Sequence, residues 1–233
     1  MMARIQFSTQ DGIALISMDD GKANAMNFDF FSELGEALDR IEKEGAGTLI
    51  ITGRPGYFSG GLDVRLLTSL PPQEVNRLAD TFARTMLRLF AFPIPTVALL
   101  SGHAVAGGAM LSFVCDLRFA VEGAYRIQMN EMVIGIPLPT WMLMIGRAVI
   151  PAQWLAEAFL HGRAYLPGEA MEKGLLHGLI GKDEDPAATV KNRIVHLKGV
   201  NCQAYRTSKS RLRHADIEQV LELLKDELPF KGF

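Results

Sequence analysis

Two glycine-rich segments are the first candidates for chemistry in this sequence of 233 residues. Residues 53–63 read GRPGYFSGGLD, and residues 102–110 read GHAVAGGAM. Each follows an apolar run that is typical of a buried strand, and the second leads into a predicted helix. Unpaired N–H groups at the start of a helix, together with the positive end of its dipole, suit an anion or a developing oxyanion. The segments are therefore candidates for a site that binds such a group.

Nucleotide-binding motifs do not fit the second segment. Gly102 and Gly107 have the spacing of a phosphate loop, but Gly108 and Ala109 stand where Lys and Ser or Thr are required. A dinucleotide fingerprint needs G-x-G before the helix, and none is present. Taken alone, either segment could be a tight structural connection. Their shared position after two buried strands favours a binding role.

Other reactive side chains form no recognisable catalytic or metal-binding motif. The five histidines lack the spacing of metal ligands, and Ser59 has no G-x-S-x-G context. Asp63 is placed to cap the helix that follows the first segment. The basic run at residues 209–213 is typical of a solvated face. We therefore expect no bound metal.

The composition excludes several classes of partner. The 24 Lys and Arg residues against 26 Asp and Glu give a net charge of −2, so we expect neither a nucleic acid nor a membrane partner. No apolar run reaches the roughly 18 residues that span a bilayer. Two cysteines, Cys115 and Cys202, cannot form a disulfide framework. We expect a cytoplasmic protein with a small ligand.

The elements that must hold the two segments follow an α/β pattern. Asp11-Gly12 predicts the turn of a β-hairpin between strands at residues 4–7 and 13–18. Asn27 can cap a helix that ends near Gly45. The other elements predicted in this part are apolar strands at 48–52 and 96–100, helices at 72–90 and from Gly107, and strands at 117–120 and 126–129.

The rest of the chain is predicted to be mainly helical, with an α/β core at residues 1–181 and a helical region at residues 182–233. Helices are predicted at residues 139–149, 151–161, 167–174, 186–197, 202–212 and 215–228. An apolar stripe in the last helix is expected to bury against a neighbouring subunit. It consists of Ile217, Val220, Leu221 and Leu224.

Six segments of the chain together carry a family resemblance. The first four are FSGGLD at 58–63, SGHAVAGG at 101–108, CDLRFA at 115–120 and NEMVIGIPLP at 130–139. The other two are KANAMN at 22–27 and GRAYLPGEAMEKGLL at 162–176. In order and spacing they resemble the crotonase (enoyl-CoA hydratase/isomerase) superfamily. The resemblance covers about residues 5–180, and the remainder matches only as a helical tail.

The resemblance implies a fold, an assembly and a substrate class. The fold would be the crotonase-like (ClpP/crotonase) spiral of ββα units, with a C-terminal helical region for trimerisation. The assembly would be a homotrimer, or a hexamer made of two trimers. The substrates would be acyl-CoA thioesters of fatty acid metabolism such as β-oxidation. No separate cofactor is implied, because coenzyme A is part of the substrate.

The resemblance also assigns site residues position by position. The backbone N–H groups of Gly60 and Gly107 would form an oxyanion hole for the thioester carbonyl. Ala23 and Ala25, in the segment that resembles the family's CoA-binding turn, would offer backbone contacts to coenzyme A. The same ligand would be contacted by Gly61, Leu62, Asp63, Val64, Gly108, Met110 and Asn130. Residues 64–92 would form the wall of the acyl pocket and accept medium chains.

The acids at two positions point to one reaction. Hydratases of the family use two glutamates, and this sequence has Met110 at the first position and Glu131 at the second. The pattern resembles the Δ3,Δ2-enoyl-CoA isomerases, in which one glutamate suffices for a 1,3-proton shift through a thioester dienolate. Neighbouring apolar residues are expected to raise the pKa of Glu131.

Three alternatives stay open at this point. The protein could be an enoyl-CoA hydratase, although Met110 cannot activate water. It could be a catalytically idle homologue that only binds acyl-CoA, although Glu131 is present. Glu131 could instead be a surface glutamate paired with Arg126 or Arg147.

Overall fold

The computed structural model describes residues 4–228, in which short strands alternate with helices. The strands are β1 Ile5–Gln10, β2 Ile13–Met18, β3 Ala25–Met26, β4 Thr48–Gly53, β5 Gly56–Ser59, β6 Gly61–Leu62, β7 Thr96–Leu100, β8 Gly102–Val105, β9 Leu117–Val121, β10 Ile127–Gln128 and β11 Gly178–Ile180. The α-helices are α1 Phe28–Glu44, α2 Val64–Ser69, α3 Pro72–Phe90, α4 Gly107–Phe113, α5 Thr140–Val149, α6 Ala152–Phe159, α7 Pro167–Glu172, α8 Pro186–Arg193 and α9 Cys202–Glu227. Two 3-10 helices cover Glu131–Ile134 and Val195–Gly199.

The strands form two sheets and one short pair. The main sheet has the order β1-β2-β4-β7-β9-β11 and is parallel apart from the β1–β2 hairpin. The second sheet has the order β10-β8-β5, and β3 pairs with β6. Three successive pairs, β4–β5, β7–β8 and β9–β10, each place one strand in the main sheet and the next in the second sheet. The chain therefore advances as a spiral of ββα units.

Both faces of the main sheet are covered, as its apolar strands predict. Leu49 and Ile51 of β4 belong to the larger core cluster, whereas Ile50 between them belongs to a smaller cluster on the other face. Val190 of α8 packs in that smaller cluster. The two glycine-rich segments begin where strands β4 and β7 of this sheet end.

Local signals predicted several elements correctly. Asp11 and Gly12, with φ values of 53° and 75°, form the predicted hairpin turn. The side chain of Asn27 accepts a hydrogen bond from the N–H of Phe30, and Gly45 ends α1 in the left-handed conformation. Helix α3 has the predicted bounds. Strands β3, β5, β6, β8 and β11 and helix α2 were not predicted.

The C-terminal helices differ from the prediction in two ways. The helices predicted at 202–212 and 215–228 are one continuous helix, α9, because neither Gly nor Pro interrupts the chain there. Val220 and Leu224 are buried within this chain, so the prediction that a neighbouring subunit covers them is wrong. Residues 229–233 of the predicted helical region lie outside the described residues. No helix within 4–228 has the length and apolar character needed to cross a membrane.

A buried ionic cluster fixes α9 to the start of β9. One oxygen of Asp116 accepts hydrogen bonds from Lys209 Nζ at 2.6 Å and Tyr205 Oη at 2.8 Å. The other accepts one from Arg213 at 2.9 Å. The Lys209 side chain is only 4% exposed, so losing Asp116 would leave a buried charge without its partner. The cluster positions α9 against the core.

Candidate active site

The two glycine-rich segments meet at a mainly apolar cavity of about 150 Å³. Gly60, Leu62, Ala106 and Gly107 line the part of it that we call its mouth, and Asn130 and Glu131 also lie on its wall. Apolar side chains from α2, α3 and α5 and from the end of α9 form the remaining wall. They include Leu67, Val75, Phe82, Trp141, Met142, Leu224 and Leu228.

Gly107 presents a backbone donor at the mouth of this cavity. It is the first residue of α4, and Ala106 before it makes no side-chain cap. The first N–H groups of a helix have no partner within the helix. A Cβ on Gly107 would come within 3.0 Å of the Phe82 ring. The N–H of Gly107 thus remains the candidate donor to an oxyanion.

The assignment of Gly60 as the second donor is wrong. Its N–H donates to the carbonyl oxygen of Ala23 at 2.8 Å, so it is not available to a ligand. This hydrogen bond holds the loop that contains Ala23 against the mouth of the cavity. Gly60 lines the cavity only as backbone.

Leu62 takes the place of Gly60 as a candidate donor. The N–H of Asp63 donates to Met26 of β3 at 3.0 Å. Because successive N–H groups of a strand point to opposite sides, the N–H of Leu62 points away from β3. Its nitrogen would lie 3.5 Å from a Cβ placed on Gly107. The two N–H groups therefore belong to neighbouring backbone segments that both line the cavity.

Gly61 is what allows these two backbone segments to approach. Its φ is 84°, and a Cβ there would lie 2.7 Å from the nitrogen of Gly107. A Cβ on Gly108 would lie 2.0 Å from the carbonyl oxygen of Ser59. Both glycines are needed for close packing of the backbone, and neither lines the cavity.

Glu131 is a buried carboxyl group on the wall of the cavity. It begins the 3-10 helix, is 7% exposed, and its Oε2 has no hydrogen-bond partner within residues 4–228. Burial raises its pKa from 4.5 to about 7, as the apolar neighbours predict. No ion pair joins it to Arg126 or Arg147 among the described residues, so the surface-pair alternative is wrong.

Asn130 places a second unsatisfied acceptor beside Glu131. It lines the cavity, and its Oδ1 is buried without a partner in the described part of the chain. An unsatisfied buried acceptor costs about 1–3 kcal/mol. A ligand that donates a hydrogen bond here would recover that free energy.

The remaining sequence-predicted site residues have other surroundings. Met110 is fully buried and lies in the core behind the cavity, not on its wall. Asp63 caps α2 by accepting hydrogen bonds from the N–H groups of Arg65 and Leu66. Val64 lines the cavity and is 55% exposed. Ala25 does not line it, and its N–H donates to Asp20 at 3.1 Å.

No metal site accompanies this cavity. Among residues 4–228, no three His, Cys, Asp or Glu side chains come together in an arrangement that could hold a metal ion.

The sequence matches the family model Enoyl-CoA hydratase/isomerase over residues 8–227. The chain belongs to the enoyl-CoA hydratase/isomerase family.

Solved structures of family members share the whole fold. An enoyl-CoA hydratase/isomerase family protein from Pseudomonas syringae is 26% identical, with a TM-score of 0.91 and coverage of 99% of this chain and 98% of that one. A protein from Mycobacterium tuberculosis, named an enoyl-CoA isomerase in one solved structure and a probable enoyl-CoA hydratase in another, is 29% identical, with a TM-score of 0.87 and coverage of 97% and 98% in the first. The expected crotonase fold is thereby confirmed.

Curated relatives in the enoyl-CoA hydratase/isomerase family carry both names. A probable enoyl-CoA hydratase of Bacillus subtilis is 32% identical over 137 residues, which are 58% of this chain and 53% of that one. The rat mitochondrial enoyl-CoA delta isomerase 1 is 27% identical over 134 residues, 56% and 46% of the two chains. The chain spans about half the length of the curated relatives it matches.

Several residues of this family member's cavity were missed by sequence reasoning. Trp141 and Met142 of α5, and Leu224, Glu227 and Leu228 at the end of α9, come from outside the predicted wall at residues 64–92. Within that range, Leu67, Val75 and Phe82 do line the cavity. Local sequence patterns do not show these residues, because α9 reaches the cavity by packing against α5 and α3 in the folded chain.

Proposed function

We propose that the protein is a Δ3,Δ2-enoyl-CoA isomerase in which Glu131 is the only catalytic base. The observation that carries the proposal is the free Oε2 of Glu131, buried on the wall of an apolar cavity. Glu227 lines the same cavity, but both of its oxygens accept hydrogen bonds from Thr140. Met110 stands at the position where a family hydratase has the first of its two glutamates.

The thioester carbonyl would lie between the N–H groups of Leu62 and Gly107. A preorganised donor of this kind contributes about 2.7–4 kcal/mol to an enolate-like transition state. The polarised thioester makes the proton at C2 acidic, and ionised Glu131 removes it. The resulting dienolate is held by the two donors, and protonated Glu131 returns the proton at C4. The double bond moves from C3–C4 to C2–C3, and no water is consumed.

The pKa of Glu131 suits both steps of the 1,3-proton transfer, the removal of the proton at C2 and its return at C4. With a pKa of about 7, the group is partly ionised near neutral pH and is basic enough to accept the proton. The same value makes the protonated group a useful donor to the dienolate. One carboxyl group can therefore act as base and then as acid.

The first test compares two reactions with purified protein. We expect 3-enoyl-CoA to be isomerised faster than 2-enoyl-CoA is hydrated, measured over thioesters of several chain lengths. Faster hydration would favour the alternative that this protein is an enoyl-CoA hydratase, the activity for which the Bacillus subtilis relative is named. Thioester binding without turnover would favour a catalytically idle homologue.

We further propose that the protein assembles as a homotrimer or as two stacked trimers. Large apolar side chains remain exposed on this chain, including Val133 at 65%, in the 3-10 helix that carries Glu131, and Leu160 at 53%. Exposed apolar side chains of this kind are available for burial at an interface.

A further inference from the structure

A second carboxylate, Glu227, lies on the wall of the cavity. It is the last residue of α9, and its two oxygens accept the backbone N–H of Thr140 at 3.0 and 3.1 Å. Its Oε1 also accepts a hydrogen bond from the Thr140 hydroxyl. Pro139, the N-cap residue of α5, makes no side-chain cap. Glu227 therefore supplies the cap from another helix, and its charge also suits the positive end of the α5 dipole.

This contact joins two walls of the acyl cavity. Leu224 and Leu228 flank Glu227 and line the cavity from α9, and Trp141 and Met142 follow Thr140 and line it from α5. Leu224 is 3% exposed and packs in the same core cluster as Trp141. Separating Glu227 from Thr140 would allow the end of α9 to move away from α5 and would lengthen the cavity.

The size of the cavity indicates the size of its occupant. Its volume is about 150 Å³, and an apolar cavity of about this size engineered into another protein accepts benzene, a molecule of about six carbon atoms. Glu131 lies on the same cavity, so this space must hold the reacting carbons as well as the end of the chain. An acyl group of about six carbons fills it.

We propose that the Glu227–Thr140 contact determines acyl chain length, so that the site prefers acyl groups of about six carbons and takes longer ones only when the end of α9 moves. The inference rests on the proposed function, because it treats the cavity as the acyl site. Glu227 acts here by positioning a wall. Its oxygens are occupied by Thr140, so it takes no part in the proton shift.

Binding of saturated acyl-CoA thioesters, which cannot isomerise, tests the inference separately from catalysis. The series runs from butanoyl- through hexanoyl-, octanoyl- and decanoyl- to dodecanoyl-CoA, with affinity measured by calorimetry. Each buried methylene raises affinity about fourfold. For the unmodified protein we expect this rise to stop near hexanoyl-CoA.

Two substitutions that keep side-chain volume weaken the contact. Glu227→Gln removes the charge that strengthens the hydrogen bonds, and Thr140→Val removes the hydroxyl. We expect each to bind decanoyl-CoA about tenfold more tightly than the unmodified protein, with hexanoyl-CoA changed less than about twofold.

Matched controls separate this contact from charge and from folding. Asp226→Asn removes the same charge from an exposed neighbour of Glu227 and should keep the original length profile. Thr140→Ser restores the hydroxyl and should return the profile that Thr140→Val loses. If Glu227→Gln fails to fold, the Val and Ser variants of Thr140 still decide the question.

The possible outcomes distinguish the two proposals. An unbroken rise of affinity through dodecanoyl-CoA in the unmodified protein, or an unchanged profile in both variants, overturns the role of Glu227. Turnover in Glu227→Gln that falls equally at every chain length overturns it as well. Absence of binding to any of the thioesters instead overturns the proposed function.

Discussion

Replacing Glu131 with Gln should remove activity and stabilise the fold at alkaline pH. Gln keeps the shape of the side chain and removes both its basicity and its charge. Because a positioned general base contributes about 10²–10⁴-fold, we expect isomerisation to fall by that factor. Acyl-CoA affinity should change little, because Glu131 binds no other described residue with its free oxygen.

The stability change follows from the raised pKa of the buried carboxyl group. Glu131 is 7% exposed, and its pKa is about 7 against an ordinary 4.5. The folded protein thus binds its proton more tightly than the unfolded chain does. The favourable contribution is fully present below pH 4.5 and is lost as pH rises to about 7. Above pH 7, ionised Glu131 costs about 3 kcal/mol, which Glu131→Gln removes.

Denaturant unfolding across the pH range measures this difference. The Gln variant should be more stable by about 3 kcal/mol near pH 8 and by almost nothing near pH 4.5. Glu172→Gln changes the same charge at an exposed site and should leave the pH dependence unaltered. For the unmodified protein, kcat/KM should rise with pH and level off above about 7, since only ionised Glu131 accepts the proton.

Two results would refute this reasoning. Near-normal turnover in Glu131→Gln would exclude Glu131 as the base. Equal stability of the Gln variant and the unmodified protein near pH 8 would mean that the carboxyl group is not desolvated in the folded protein.

Three further predictions concern the donors, Met110 and the assembly. Gly61→Ala places a Cβ 2.7 Å from the Gly107 nitrogen and should lower kcat/KM about 10²–10³-fold. In Gly60→Ala the new Cβ meets nothing closer than 3.5 Å, so this variant should retain most activity. Equal losses of activity in the two variants would contradict the assignment of Leu62 as a donor. Met110→Glu buries an unpaired carboxylate and should destabilise the fold by about 3–5 kcal/mol near pH 8. The control Met110→Leu conserves the side-chain volume and should cost less than about 1.5 kcal/mol. Thermal unfolding of the two variants measures both changes. Light scattering should report a trimer or hexamer at micromolar concentration, and a stable monomer would count against the proposed assembly.

Much of the fold could be predicted from local signals in the sequence. The Asp11-Gly12 turn and the caps Asn27 and Gly45 act through neighbouring residues, so their elements appear at the expected bounds. Strands such as β6 and β8 have only 2 and 4 residues and contain glycine, so their pairing depends on distant partners. Nothing local predicts them.

The candidate site was predicted in part, and its errors have physical causes. Glu131 could be found because the segment at residues 130–139 resembles the family segment that carries a catalytic glutamate. Gly60 was chosen over Leu62 because residue identity does not tell which way a backbone N–H points, and that direction follows from the pairing of β3 with β6. Glu227 was missed because it reaches the cavity through tertiary packing, far along the chain from the glycine-rich segments.

The two proposed oxyanion donors belong to the main chain, which has a consequence for how this site can change by mutation. Position 62 can hold any residue except proline and still offer the same N–H. The group that removes and returns the proton is a side chain, Glu131, and a single codon change can alter it. Substitution of the Leu62 side chain thus leaves a donor in place, whereas substitution of Glu131 removes the base. New reactions can arise on this scaffold without rebuilding the part that polarises the carbonyl.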